Sequence, residues 1–211
     1  MNSAVLLLIL LGFSSIGLLT IWFFRRDGRF TARWWLTSLP LFIGPLLVVA
    51  GYVADVTPMA PASWTTARDL VAVTLGVASI ALMYLTWGTH RIPLARYHQD
   101  DDVPQHVVTH GAYRYIRHPF YSSYLLLYLS TLVFFPHWST LFLTCYMFTA
   151  LTITAAGEER RLSASEFGPD YQRYMRRTGR FIPRLTRSRD IEPAAAPPAA
   201  TDPALAEPVS R

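Results

Sequence analysis

The sequence predicts an all-α fold: a polytopic membrane helix bundle of about five transmembrane helices, with a cytoplasmic C-terminal segment. Three observations carry that expectation. Only 16% of the 211 residues are charged and 52% are hydrophobic, where a soluble domain carries roughly a quarter charged residues. The apolar residues fall into uncharged runs of bilayer length, which a soluble core does not need. All 19 basic residues are Arg, and they cluster between alternate runs, as the positive-inside rule requires of a chain that crosses repeatedly.

Ala4 to Phe24 is the first uncharged run. At about 1.5 Å rise per residue it covers about 30 Å, the thickness of a hydrocarbon core. It has neither a positive leader nor a small-residue cleavage site, so it reads as an uncleaved span rather than a secretory signal. Trp34 to Ala54 is the second run and Leu70 to Thr89 the third. Pro119 to Gly157 is long enough for two spans. Pro136-His137 divides it in a tight hairpin, because proline removes a backbone donor and breaks a helix. A four-span arrangement, with one segment only interfacial, is the competing count.

Arg25, Arg26, Arg29 and Arg33 follow span one; Arg91, Arg96, Arg114 and Arg117 follow span three; a further series from Arg160 to Arg189 follows span five. The opposite side holds only Arg68. This places the N-terminus outside and the C-terminus in the cytoplasm. It also accounts for the net charge of +5 without nucleic acid, since juxtamembrane Arg sits against anionic membrane lipids. Cys145, inside span five, is the one cysteine and is expected to be a packing residue. From Thr186 onward the chain is rich in Pro and Ala, and residues 186–211 read as a disordered tail. The all-Arg, Ala- and Pro-rich composition is that of a high-GC bacterium, which points to the inner membrane.

Two polar segments meet the membrane on the cytoplasmic side. The first runs from Gln105 to Tyr121 and contains His106, His110, Gly111, Tyr113, Arg114, Tyr115, Arg117, His118, Pro119 and Phe120. Pro119 suits the first turn of a helix, where its missing N–H costs nothing, and His118 before it is pushed out of the helical region. The N-terminus of span four then offers backbone donors to an anion. An interfacial belt of aromatics and Arg is the plainer reading. Three histidines, a turn at Gly111 and a long loop exceed what a belt needs. The second segment begins with Glu158-Glu159, which the sequence places at the C-terminal end of a helix, an unfavourable position for anions by roughly 0.3–1 kcal/mol each. A cationic ligand facing the pair explains that placement better than a boundary charge pair. Phe167-Gly168, Tyr171, Tyr174 and Arg180-Phe181-Ile182-Pro183 follow.

Gly111 to Tyr121, then Glu158-Glu159, Phe167-Gly168, Tyr171, Tyr174 and Arg180 to Pro183, together resemble the isoprenylcysteine carboxyl methyltransferase family, to which the phospholipid methyltransferases are related. The resemblance spans about residues 70 to 185. It implies a core over 69–185 behind an N-terminal hairpin over 1–68. It further implies S-adenosylmethionine as methyl donor, held in a cytoplasm-facing pocket that the C-terminal segment caps. Carried over by position, the cofactor contacts are Gln105, His106, Val107, Val108, Tyr113, His118, Pro119, Phe120, Tyr121 and Glu158. No metal is implied. One departure bears on the substrate: Thr154 stands four residues before Glu158, where similar enzymes acting on prenylcysteine have an Arg that can hold a carboxylate.

These features suggest in-line methyl transfer to a lipophilic small molecule or lipid that enters from the bilayer, with alignment as the enzyme's main task. A thiol or amine acceptor needs a proton acceptor, for which Glu159 and His110 are the candidates. Two other classes compete. A membrane reductase would use a nicotinamide cofactor, but no glycine-rich dinucleotide fingerprint is present. A non-enzymatic scaffold or transporter subunit is the other; transporters place ionisable groups near the midplane, and these runs hold no formal charge.

Overall fold

The computed structural model describes residues 2–23, 25–26, 29–30, 32–89 and 108–184, with side chains outside 19–34. The chain is helical. α1 (Ser3–Phe23) is followed by a minimal antiparallel ladder of β1 (Arg25–Arg26) and β2 (Arg29–Phe30). Then come α2 (Ala32–Thr37), α3 (Pro40–Val53), α4 (Thr65–Thr89), α5 (Pro119–Phe134), α6 (Trp138–Ser163) and α7 (Gly168–Arg177). Three stretches, Trp35–Val53, Ala62–Thr89 and Trp138–Ser163, are long and apolar enough to cross a membrane. Ser3–Leu18 and Pro119–Phe134 are apolar but shorter. Each uncharged run of the sequence thus becomes helix.

The core is filled by Ile9 and Ile16 of α1, Leu41 and Val48 of α3, Met83 of α4, Leu127 and Tyr128 of α5, and Met147 and Leu151 of α6. Small residues let the helices approach closely, as membrane interfaces favour: a side chain at Gly12 would meet Leu127, one at Gly44 would meet Phe13, and one at Gly51 would meet Phe135. Serines fasten α4 to α5, Ser79 donating to the Ser123 carbonyl at 2.6 Å and Ser130 to the Ala72 carbonyl at 2.7 Å. Leu7, Leu11, Leu46, Val53, Leu70, Val77, Phe142 and Ile153 point outward, an apolar exterior suited to lipid and not to water.

The α5–α6 hairpin turns where Pro136-His137 predicts it. The His137 ring accepts from Ser139 N–H and Thr140 closes a capping box, satisfying donors at the start of α6. Met59 N–H bonds the Pro136 carbonyl at 2.8 Å, which puts the 55–61 connector and this turn at one end of the bundle. The other end holds the Gly111 turn against Thr89, at the close of α4.

The second run forms one membrane-length stretch, Trp35–Val53, with a turn at Ser38–Leu39 between α2 and α3, because Pro40 cannot donate to the turn before it. Two sequence expectations are corrected. Glu158-Glu159 does not close its helix: α6 continues to Ser163, and Arg160 and Arg161 occupy its last turn, where cations suit the dipole. Cys145 is exposed on the outer face of α6 rather than packed inside. The tail over 186–211 lies outside the described residues.

Candidate functional site

The site is built at the N-terminus of α5. Pro119 occupies the first turn, and His118 is the cap residue with φ −123° and ψ 64°. Upstream, Gly111 at φ +59° opens a 3₁₀ turn over Gly111–Arg114; the left-handed backbone there is one that glycine adopts without strain. Residues 115–118 are then paired in parallel by a C-terminal strap, Thr178–Arg184, that follows α7. Gly179 N–H bonds the Tyr115 carbonyl at 3.1 Å, and Arg117 and His118 donate to the Gly179 and Arg180 carbonyls at 2.8 and 3.1 Å. Ser122 adds a side-chain bond to the Phe181 carbonyl at 2.7 Å.

A side chain on Gly179 would run into the Ile182 carbonyl. Gly179→Ala is therefore expected to cost about 1–3 kcal/mol through steric overlap and to make the strap more accessible to limited proteolysis. Digestion patterns of the two proteins in detergent check this.

Two carboxylates, adjacent on α6, play different parts. Glu159 is buried, its side chain 8% exposed. Arg117 Nε donates to its Oε1 at 2.9 Å, Arg180 reaches both of its oxygens, and His118 Nε2 lies 3.3 Å from Oε1. Arg117 also donates to the carbonyls of Met175 and Thr178. One carboxylate thereby ties α6, the α5 entrance, the end of α7 and the strap together. The hydrogen bond to Glu159 raises the Arg180 guanidinium above its ordinary value, against the effect of burial.

Glu158 faces a different set of groups. Tyr121 donates to its Oε1 at 2.8 Å, and His118 Nδ1 lies 3.6 Å from its Oε2. The His118 and Tyr121 rings stack at 5.3 Å with an interplanar angle of 3°, and Phe181 of the strap meets His118 edge-on at 6.2 Å. Tyr113 completes the group. Burial pushes its phenol well above the ordinary range, with Tyr174 and Glu158 adding to the effect, so it stays a neutral donor. Tyr174 itself donates to the Tyr113 carbonyl at 2.7 Å.

Of the residues named from sequence, the structure brings Tyr113, His118, Pro119, Tyr121 and Glu158 to one place, with Phe120 on the next turn position of α5. Val108 lies just before the Gly111 turn, and His110 caps that turn with an exposed side chain. Gln105, His106 and Val107 lie outside the described residues. Thr154 bonds its own helix at the Ala150 carbonyl, 2.9 Å away, so no cation occupies that position. Sequence reasoning missed the strap pairing and the double role of Arg117 and Arg180. Their signal lies in the Arg117-His118-Pro119 and Arg180-Phe181-Ile182-Pro183 elements, which carry the family resemblance without revealing that both arginines meet Glu159.

A carboxylate among phenols, a histidine edge and the start of a helix can hold a small zwitterionic ligand. Its cation would meet Glu158 and the ring faces, and its anion would meet helix N-terminal donors. No curated protein and no solved structure matches this chain. The phospholipid methyltransferase family model matches residues 64–170, a stretch that takes in α4, α5, α6 and both carboxylates. The chain belongs to the phospholipid methyltransferase family.

Proposed function

We propose that the protein is an integral membrane methyltransferase that uses S-adenosylmethionine and acts on a lipophilic acceptor, in the manner of the isoprenylcysteine carboxyl methyltransferases. The observation that carries this reading is the convergence of Tyr113, His118 and Tyr121 on Glu158 beneath the strap. The residues present fit the methyl donor: an anionic oxygen pair for its amino group or sulfonium, stacked rings for its adenine, and the α5 N-terminus for its carboxylate. Gln105, His106, Val107, Val108, Pro119 and Phe120 complete the proposed contacts. When bound, the sulfonium supplies an electrophilic methyl group. The chain's own task is to hold the acceptor in line with it and to exclude water.

Five spans, with the strap and site on the cytoplasmic side, agree with the arginine distribution. The oxygens of Glu159 are engaged by Arg117, Arg180 and His118, and a carboxylate so occupied accepts a further proton poorly. We therefore assign Glu159 to positioning and His110 to proton acceptance for acceptors that must lose one. The neutral Thr154 argues against a carboxylate acceptor.

Incubating the purified protein with methyl-labelled S-adenosylmethionine and a bacterial total lipid extract should move label into the organic phase. Label that stays in the aqueous phase with folded protein, or binding of a nicotinamide nucleotide in its place, would contradict the assignment.

A further inference from the structure

Phe148, Ala155 and Glu159 fall on one face of α6 at helical spacing. That face is covered toward the cytoplasmic end, where Ala155 and Glu159 are buried, but Phe148 is 54% exposed. At 1.5 Å per residue Phe148 lies about 16 Å below Glu159 along the helix, three turns deeper into the bundle. α5 and α6 form an antiparallel hairpin, and the Thr144 hydroxyl donates to the Tyr128 carbonyl at 3.4 Å. This register sets Phe148 level with Tyr124, one turn of α5 below Tyr121.

Phe181 of the strap marks the boundary between the covered and the open part. Ser122 of α5 donates to its carbonyl at 2.7 Å. Its ring meets Phe148 of α6 edge-on at 6.5 Å, and it meets His118 edge-on at 6.2 Å. One strap residue therefore touches both helices, with the proposed donor site on one side and an outward-facing residue of α6 on the other. The turn that closes the hairpin, Pro136-His137, is at the opposite end, so Phe181 lies where the two helices are not joined. Ile182 beside it is 77% exposed, so the outer surface of the strap is apolar at this point.

We propose that the seam between α5 and α6, from Phe148 up to Phe181, holds the hydrocarbon chain of the methyl acceptor, and that Phe181 positions the acceptor's reacting atom beside His118 and Glu158. The proposal rests on the reading that a lipophilic acceptor is methylated here. Two ring contacts connect an outward-facing residue to the proposed donor site, so the occupant has an apolar chain at one end and a reactive head at the other. No residue from Pro119 to Gly157 carries a formal charge, so the chain it takes is uncharged. A ring that only sealed the hairpin would support the strap and the donor site. A ring that guides the acceptor sets how tightly the acceptor binds.

The test follows methyl transfer from labelled S-adenosylmethionine to a bacterial total lipid extract in maltoside micelles, as the extract concentration is varied. Phe148→Ala should raise the half-saturating extract concentration about 5- to 10-fold, through lost apolar contact. Its maximal rate, and its affinity for S-adenosylmethionine by calorimetry, should stay within about twofold of wild type, as for other exposed substitutions. Phe148→Leu, which keeps most of the apolar bulk, should recover most of the loss, and Phe181→Leu should shift the extract dependence in the same direction as Phe148→Ala. Ile153→Ala is the control: Ile153 is exposed and nearer to Glu158 in the chain, but it lies off this face of α6, and its loss should change nothing. Phe148→Ala that saturates as wild type does, an equal shift in Ile153→Ala, or an effect confined to donor affinity would each overturn the seam and leave Phe148 an ordinary contact with bilayer lipid. Wild type that neither binds S-adenosylmethionine nor transfers label would sink the methyltransferase assignment itself, and the acceptor seam with it.

Discussion

Replacing Glu159 with alanine should lower stability by about 3 kcal/mol, because it leaves the nearly buried Arg117 guanidinium without its counter-charge and releases the partly exposed Arg180. Arg117 is nearly buried, its side chain 11% exposed, and Arg180 is 35% exposed. Arg117 keeps its backbone carbonyl partners; Arg180 loses both carboxylate oxygens at once. The strap and α7 should loosen before the bundle does. Hydrogen exchange should therefore rise first over residues 178–182, and methyl transfer should be lost with it. Glu159→Gln keeps two hydrogen-bonding atoms and should recover part of the stability. A variant as stable as wild type, with the strap still protected, would show that the ion pairs do not hold the site together.

Glu158→Ala is expected to behave in the opposite way. Glu158 accepts from the Tyr121 hydroxyl and lies beside one edge of His118, contacts looser than the arginine clasp on Glu159. Stability should change by less than about 1 kcal/mol, the usual scale for one hydrogen bond. Affinity for S-adenosylmethionine should fall about 10- to 100-fold, the worth of a charge-assisted contact. Thermal unfolding and equilibrium binding on the same preparation check both halves. Neighbours in sequence thus separate into a positioning residue and a ligand contact, and equal effects of the two substitutions on both readouts would contradict that division.

The bundle was legible in the sequence because membrane helices announce themselves by length and absence of charge. The hairpin at Pro136 and the first-turn Pro119 follow from what proline cannot do. The break at Ser38–Leu39 was harder to read, since the run from Trp34 to Ala54 is uniformly apolar and gives no sign of which proline interrupts it. Tyr113, His118, Tyr121 and Glu158 were named together from sequence, and the structure places them together. The clasp was not named, because Arg117 and Arg180 are far apart in the chain and the motifs that contain them do not show that they share one carboxylate. Their partners are backbone carbonyls and one buried carboxylate, and such pairing across 42 residues (Arg117 to Glu159) leaves no local pattern. Glu159 itself stands out in the sequence only as half of a carboxylate pair and a candidate proton acceptor, because the arginines that hold it lie 42 and 21 residues away.

The central claim is that the stacked His118–Tyr121 pair and Glu158 bind S-adenosylmethionine. Calorimetric titration of the detergent-purified protein, beside a His118→Ala control of matched thermal stability, tests it most directly. The account predicts saturable binding by wild type and at least about tenfold weaker binding by the variant, the loss of roughly 1.4 kcal/mol. Folded wild-type protein that binds no S-adenosylmethionine, or a variant that binds it equally well, would contradict it.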